Sequence, residues 1–186
     1  MKKYTQAEFD AIPVDENGIK CCQTGDYTAI NRFGAHCSFG AHCSFGAHCS
    51  FGAYCSFGAG CRFGAHCRFG VGCSFGEVCS FGAACRFGTV CSFGAHCSFG
   101  AHCICEFGQF VSMLSAGGFG SCGRTTYFFL LSDGGVYVRC GCFAGTLDEW
   151  AAKVKQTHGD SHIAKAYLLL IPAVKTQFEM GGFCNG

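Results

Sequence analysis

The sequence predicts a mainly β fold built around a parallel β-helix of about four coils. Twelve consecutive hexads of the form Phe-Gly-x-x-Cys-x run from Phe33 to Ile104. A short repeat of fixed length is typical of a solenoid, in which every repeat packs on its neighbours. Three hexads make one triangular turn, so each hexad supplies one short strand and one corner. The composition changes after the repeat and predicts a small α+β module at the carboxyl end.

The positions within the hexad predict which side chains fill the interior. Position one is always Phe and position five is always Cys, and we expect both to point inward because Cys behaves as a small hydrophobe. Position two is always Gly, which fits a corner where a Cβ atom would clash or where φ is positive. Positions three, four and six are expected to face outward.

The hexads resemble the signature of left-handed β-helix proteins: a bulky aliphatic residue, Gly, two free positions, a small residue and one free position. Here Phe and Cys take the bulky and small positions over residues 33–104. The resemblance implies a left-handed coil, against the usual right-handed preference of parallel crossovers. It also implies trimers and, as an alternative function, an acyltransferase that uses acyl-coenzyme A. The catalytic His of those enzymes typically lies in a loop that interrupts the hexads, and these twelve hexads are uninterrupted.

Residues 1–32 are expected to cap the amino-terminal end of the coil, whose domain we place at residues 33–108. Thr5 and Glu8 have the spacing of a capping box and predict a short helix. Tyr27 lies six residues before Phe33 and is expected to begin an incomplete first rung.

The segments after the coil are interpreted as a linker and a ββαα module. Residues 109–123 are rich in Gly and Ser and predict a linker or an irregular lower cap. Within residues 124–186, two β-rich runs flank Asp133-Gly134-Gly135, a hairpin turn signal. Thr146 and Glu149 form a second capping box and open a helix to about Thr157, and a second helix is expected over Ser161–Glu179.

A second resemblance concerns this module. The run Tyr-Val-Arg-Cys-Gly-Cys-Phe-Ala-Gly-Thr-Leu-Asp-Glu-Trp, with Thr-His-Gly-Asp downstream, is similar to the carboxyl-terminal part of small phage and prophage proteins. Those proteins often carry Ser-Phe-Gly-x-x-Cys repeats before it. The resemblance implies a phage origin and no catalytic activity.

Composition limits the classes of function and the compartment. A formal charge of +1 gives no case for general nucleic-acid binding. No segment reaches transmembrane length and the chain starts without an apolar signal core, so we expect no membrane association and place the protein in a host bacterial cytoplasm. The cysteines are expected to be free and reduced there. We expect no metal, because the hexad contains no Cys-x2-Cys and places His outside and Cys inside. We also expect no cofactor and no catalytic residue.

Two surfaces of the coil are candidate binding sites. Stacking three hexads per turn aligns a basic patch that suits an anionic ligand, either a nucleotide or an acidic surface of a partner; the alternative is a role in solubility. A flat apolar face predicts an interface in a homodimer or homotrimer. The basic patch comprises Arg62, Arg68, Arg86, His48 and His66, and the apolar face comprises Tyr54, Val71, Thr89 and Val90.

Two further motifs are interpreted as structural. Gly118–Gly123 matches the Gly-x-Gly-x-x-Gly dinucleotide motif, but a strand is expected after it instead of a helix. His158 and His162 fall on a turn between the two helices and are not expected to bind a metal.

The favoured function is that of a non-enzymatic phage-type protein that binds a host component. It would act against host defence or in host takeover, by occluding a protein or by sequestering an anionic nucleotide. A structural, virion-associated oligomer is the remaining alternative.

Overall fold

The computed structural model describes residues 1–119 and 124–180. The chain forms two compact units, Met1–Gln109 and Phe110–Gly186. Each unit is built differently. The first is a parallel β-solenoid, and the second combines antiparallel strands with two helices.

The solenoid has three faces, each with five parallel strands, so it makes about five turns. Face 1 stacks β1, β4, β7, β10 and β13, face 2 stacks β2, β5, β8, β11 and β14, and face 3 stacks β3, β6, β9, β12 and β15. The strands are β1 Lys20–Cys22, β2 Asp26–Tyr27, β3 Arg32–Phe33, β4 Cys37–Phe39, β5 Ser44–Phe45, β6 Ser50–Phe51, β7 Ser56–Phe57, β8 Arg62–Phe63, β9 Arg68–Phe69, β10 Ser74–Phe75, β11 Ser80–Phe81, β12 Arg86–Phe87, β13 Ser92–Phe93, β14 Ser98–Phe99 and β15 Cys103–Cys105.

The expected fold class is confirmed, while the count of about four coils is one too low. The first turn begins before the hexads, because β1 pairs with β4 and β2 pairs with β5. Cys22 and Tyr27 stand opposite Phe39 and Phe45 and take the inward place of the hexad Phe. The first turn therefore starts at Lys20, ahead of Tyr27, from which we expected an incomplete first rung. The left hand of the coil stays a prediction.

The interior is filled by phenyl rings and thiols, as the hexad predicts. Along each face the rings are stacked: the centroids of Phe63 and Phe81 are 4.9 Å apart, with 3° between the ring planes. Around the axis they meet edge to face: the centroids of Phe63 and Phe69 are 5.0 Å apart, at 89°. Both geometries are favourable for aromatic pairs. The amino-terminal end is closed by Tyr4 stacked on Tyr27 at 4.6 Å and by Phe9 against the edge of Phe33.

The cap helix α1 spans Gln6–Asp10. Its expected capping box is confirmed, since the Thr5 hydroxyl accepts a hydrogen bond from the Glu8 N–H, and the Glu8 carboxylate accepts one from the Thr5 N–H.

The second unit contains more strands than the ββαα prediction. β16 Gly108–Phe119, β17 Arg124–Leu131, β18 Val136–Cys140 and β19 Phe143–Thr146 pair in antiparallel order. The expectation of a linker or irregular cap over 109–123 is wrong for residues 109–119, which lie in β16. The Gly and Ser residues predicted a loop, but pairing with the hydrophobic strand β17 overrides this weak local preference. Residues 120–123 lie outside the described residues.

The two expected helices are confirmed as α2 Leu147–His158 and α3 His162–Met180. Thr146 and Glu149 form the predicted capping box at the start of α2. Trp150 is the centre of the core of this unit, since its ring meets Phe128 at 5.4 Å and Tyr167 at 5.7 Å, both edge to face. Within residues 1–119 and 124–180, no helix has both the length and the apolar character needed to cross a bilayer.

Candidate anion-binding site

The corners of the coil are formed by position four of the hexad. His48, His66 and Ala84 have φ values of +61°, +60° and +57°, in the left-handed region. His is among the residues that tolerate this region best apart from Gly. Each corner is held by the chain of the next rung, since the N–H of His48 donates to Ala65 O and that of His66 to Ala83 O, both at 2.8 Å. These corners point the position-four side chains outward.

The corner before face 3 carries a column of rings. His48 and His66 lie one rung apart with their centroids 4.9 Å apart and their planes at 4°. The next residue of the column is Ala84, and the last is His102. Gln109 Nε2 lies 3.0 Å from His102 Nδ1, and this hydrogen bond holds the His102 ring.

Beside this corner, the outward side chains of face 3 form a column of arginines. Arg32 stands opposite Ser50, Ser50 opposite Arg68, and Arg68 opposite Arg86 in the register of the sheet. The three arginines are exposed. No ion pair involves Arg68 or Arg86 among the described residues. Like charges directly opposite each other destabilise a sheet. Repulsion between Arg68 and Arg86 therefore lowers the stability of the free protein.

The two columns border a groove of about 690 Å³ on face 3. None of the described residues that line it is acidic. Guanidinium groups bind phosphate and carboxylate in a bidentate manner. The groove therefore has the geometry and the charge to bind an anion. Its lining comprises Arg32, His48, Cys49, Ser50, His66, Arg68, Ala84, Arg86, His102, Ile104 and Gln109.

The structure brings together four of the five residues that we assigned to the basic patch. Arg68, Arg86, His48 and His66 all line the groove, whereas Arg62 lies on face 2, opposite Ser44 and Ser80.

Two groove residues, Arg32 and Gln109, were not predicted from the sequence, and His102, which the hexad spacing aligns with His48 and His66, was left out of the basic patch. Arg32 directly precedes the first hexad Phe, so it occupies position six of a rung that the motif does not include. Its distance of 18 residues from Ser50, one full turn of three hexads, could have placed Arg32 in this column. Gln109 follows the break in register after Ile104, and no signal in the sequence places it beside His102.

The apolar residues that we assigned to an oligomer interface lie around the corner before face 1. Tyr54 and Val90 are 58% and 57% exposed, Thr89 is exposed and Val71 is half-buried. The Tyr54 ring stacks on His36 at 5.4 Å. These residues therefore share one edge of the coil.

The repeat thiols are buried in the coil, and Cys49, which lines the groove, is only 1% exposed. The described cysteines are thiols outside any disulfide, and the hexad cysteines are buried except Cys97, which is half-buried. They donate hydrogen bonds to carbonyl oxygens of the corners, as Cys67 Sγ does to Gly64 O at 3.1 Å. Burial raises the pKa of Cys22 to about 12 and that of Cys105 to about 11, so both stay protonated near neutral pH.

Comparison with protein families gave a match to an RNA-binding, Nab2-type zinc finger model, and comparisons with curated proteins and solved structures gave no match. The family matches fall within residues 32–104, less than half of the 186-residue chain. The chain is similar to that family over these segments of the repeat. The matched segments are 32–46, 37–58, 48–64, 60–76, 67–82, 79–94, 84–100 and 91–104.

The residues of the coil do not fit a zinc ion. A structural zinc site needs four Cys or His ligands converging on one point, about 2.0–2.3 Å from the metal. Here the thiols point into the coil and the histidines point out of it, as Cys67 (fully buried) and its neighbour His66 (exposed) illustrate. In the part of the chain that the structure describes, no group of three or more His, Cys, Asp or Glu residues is placed to hold a metal.

The two remaining motifs contribute nothing to this site. His158 lies at the end of α2 and its ring meets Tyr167 at 6.0 Å, which agrees with a structural role between the helices. The Gly-x-Gly-x-x-Gly match continues into residues 120–123, outside the described residues.

Proposed function

We propose that this protein is a non-enzymatic binding protein whose face 3 groove holds an anionic ligand. The observation that carries the proposal is the set of exposed arginines in register, Arg68 opposite Arg86, with no carboxylate among the lining residues that the structure describes. Their mutual repulsion destabilises the free coil. A bound anion removes that repulsion and forms charge-assisted hydrogen bonds with the guanidinium groups.

The biological setting of this binding belongs to the same proposal. The resemblance of the carboxyl-terminal module to phage and prophage proteins supports a role in a host bacterial cytoplasm, against host defence or in host takeover. The anion is either a small nucleotide that the protein sequesters or an acidic surface of a host protein that it occludes. Stacked, nearly identical hexads tolerate gain and loss of rungs, which suits a binding surface better than a catalytic centre.

Isothermal titration calorimetry with pyrophosphate tests the proposal. The wild-type protein is expected to bind pyrophosphate, and binding is expected to weaken as salt increases because the contact is between charges. Arg68→Glu is expected to abolish binding. Arg62→Glu, a matched control at position six of face 2, is expected to leave it unchanged. Equal loss in both variants, or no loss in Arg68→Glu, would reject the groove as the site.

Self-association is a separate part of the proposal. We propose that copies associate through the edge formed by Tyr54, Val71, Thr89 and Val90, because Tyr54 and Val90 expose more than half of their surface. Sedimentation equilibrium of wild type and Tyr54→Ser tests this. A wild type that stays monomeric at high concentration would overturn it.

A further inference from the structure

We propose that the face 3 groove binds a nucleotide, with its base over Ala84 between the rings of His66 and His102 and its phosphate on Arg68 and Arg86. This inference rests on the proposed function and adds the chemical class of the ligand. Ala84 carries this inference, because it has no ring and lies between His66 and His102 in the described part of the column.

The column before face 3 leaves a gap the size of one aromatic ring. Rungs of a parallel coil are about 4.8 Å apart, so His66 and His102, two rungs apart, lie roughly 9.6 Å apart along the column. Stacked rings have centroids about 4.5–7 Å apart, and His48 and His66 already show 4.9 Å. A guest ring above the Ala84 methyl group would therefore stack on an imidazole on each side.

The other two corner columns offer no such gap among the described residues. In the column before face 1, the Tyr54 ring covers Gly72, where an added Cβ would lie 2.7 Å from that ring. In the column before face 2, His42 covers Gly60 in the same way, at 2.5 Å from its Nδ1. Val78 then fills the following place with a branched side chain. Among the described corner residues, only Ala84 combines a small side chain with a ring on the rung before it and a ring on the rung after it.

The phosphate position follows from the hexad. Ala84 and Arg86 are two residues apart in the same hexad, and Arg68 stands opposite Arg86 on the preceding rung. A base over Ala84 thus places its sugar and phosphate toward the two arginines of face 3. The Gln109–His102 hydrogen bond of 3.0 Å fixes the ring on the far side of the gap before ligand arrives, and such preorganisation reduces the entropy lost on binding.

The ring gap favours a nucleotide over an acidic peptide or inorganic polyphosphate. Asp and Glu side chains carry charge but no planar ring that stacks between two imidazoles. Polyphosphate meets the arginines and leaves the gap unused. A nucleotide uses both halves of the groove, because every base has a π-face for stacking.

The test compares ADP with pyrophosphate in calorimetric titrations of the full chain. Wild type is expected to bind ADP at least about tenfold more tightly than pyrophosphate, because stacking of the base on aromatic side chains supplies that difference in affinity. Ala84→His fills the gap with the chain's own ring and is expected to reduce ADP affinity to that of pyrophosphate. The variant is expected to fold, because His occupies the same corner position at His48, His66 and His102.

Val78→His is the matched control, since it places the same side chain at a corner of positive φ before face 2. It is expected to leave ADP affinity unchanged. A second measurement needs no variant. ADP is expected to shift the ring-proton NMR signals of His66 and His102 more than those of His42 and His96. Pyrophosphate is expected to cause no such difference.

The outcomes distinguish failure of the base site from failure of anion binding. Equal affinities for ADP and pyrophosphate, with no effect of Ala84→His, would overturn the base site and leave anion binding intact. Failure of both ligands to bind wild type would overturn the base site together with the proposed function. Tight ADP binding that survives Ala84→His but is lost in Arg68→Glu would place the base elsewhere and also reject this inference.

Discussion

At the scale of single residues, close packing of the backbone and positive φ occur at two different hexad positions, although the sequence predicted both at position two. Gly at position two was expected to serve either close approach or positive φ. The close approach is confirmed, since a Cβ on Gly64 would lie 2.4 Å from Ala47 N on the preceding rung. The positive φ lies instead at position four, on His, Ala and even Val residues. The sequence could not reveal this, because position four varies and includes β-branched side chains that rarely adopt such φ values.

Gly64→Ala is therefore expected to destabilise the coil by about 1–3 kcal/mol, because the new methyl group overlaps the backbone of the rung beside it. Gly34→Ala is the matched control at the same hexad position on the first rung, where an added Cβ meets nothing within 4 Å. It is expected to change stability by less than about 0.5 kcal/mol. Chemical denaturation measures both, and similar effects of the two substitutions would contradict this packing account.

At the scale of elements, the register of the strands determines which charges meet. The hexad spacing predicted that Arg68 and Arg86 stack, because three hexads per turn bring position six of every third hexad into one column. Arg62 has the same hexad position but lies on face 2 between Ser44 and Ser80. Short strands of two or three residues were thus predictable from period alone. β16 was not, because its Gly and Ser residues carry a loop signal that only tertiary pairing overrides.

Arg68→Ser is expected to stabilise the free protein by about 0.2–1 kcal/mol, because it removes a like charge opposite Arg86 and introduces the residue that most other position-six sites carry. The gain should shrink at high salt, where the repulsion is screened. Arg62→Ser, whose neighbours in the sheet are serines, is expected to change the free energy of unfolding by less than about 0.5 kcal/mol. A loss of stability in Arg68→Ser would show that the arginines are not in mutual repulsion.

At the scale of the whole molecule, the interior of the coil is a sealed stack of rings and thiols, and the outside alone is free to recognise a ligand. The periodicity predicted this division, together with the class of fold. Of the fifth turn it predicted only the incomplete rung from Tyr27, and it missed Lys20–Cys22, where Cys22 takes the place of the hexad Phe. Nor did it predict the number of strands in the second unit.

Two thiols, those of the buried Cys22 and the half-buried Cys105, predict that stability falls in alkaline solution. Burial raises the pKa of Cys22 from 9.0 to about 12 and that of Cys105 from 9.0 to about 11. Above about pH 9 the unfolded chain loses these protons while the folded chain keeps them, so the free energy of unfolding decreases as pH rises from about 9 to about 12. Below pH 9 this contribution is fully present. Denaturation at about pH 8 and about pH 10.5 measures the effect, and equal stability at the two pH values would contradict it.

The stability of the coil is expected not to depend on zinc. The thiols lie inside and the histidines outside, so the described residues that match a zinc finger model do not assemble four ligands. Elemental analysis is expected to find much less than one zinc per chain, and dialysis against EDTA should leave the melting temperature unchanged. Stoichiometric zinc whose removal unfolds the coil would contradict the inward placement of the cysteines.

The most direct test of the account is a crystal structure of the protein grown with ADP. The account predicts density for the diphosphate at Arg68 and Arg86 and for the base over Ala84, between His66 and His102. ADP bound at another place on the molecule, or a groove without ligand density at saturating concentration, would contradict it.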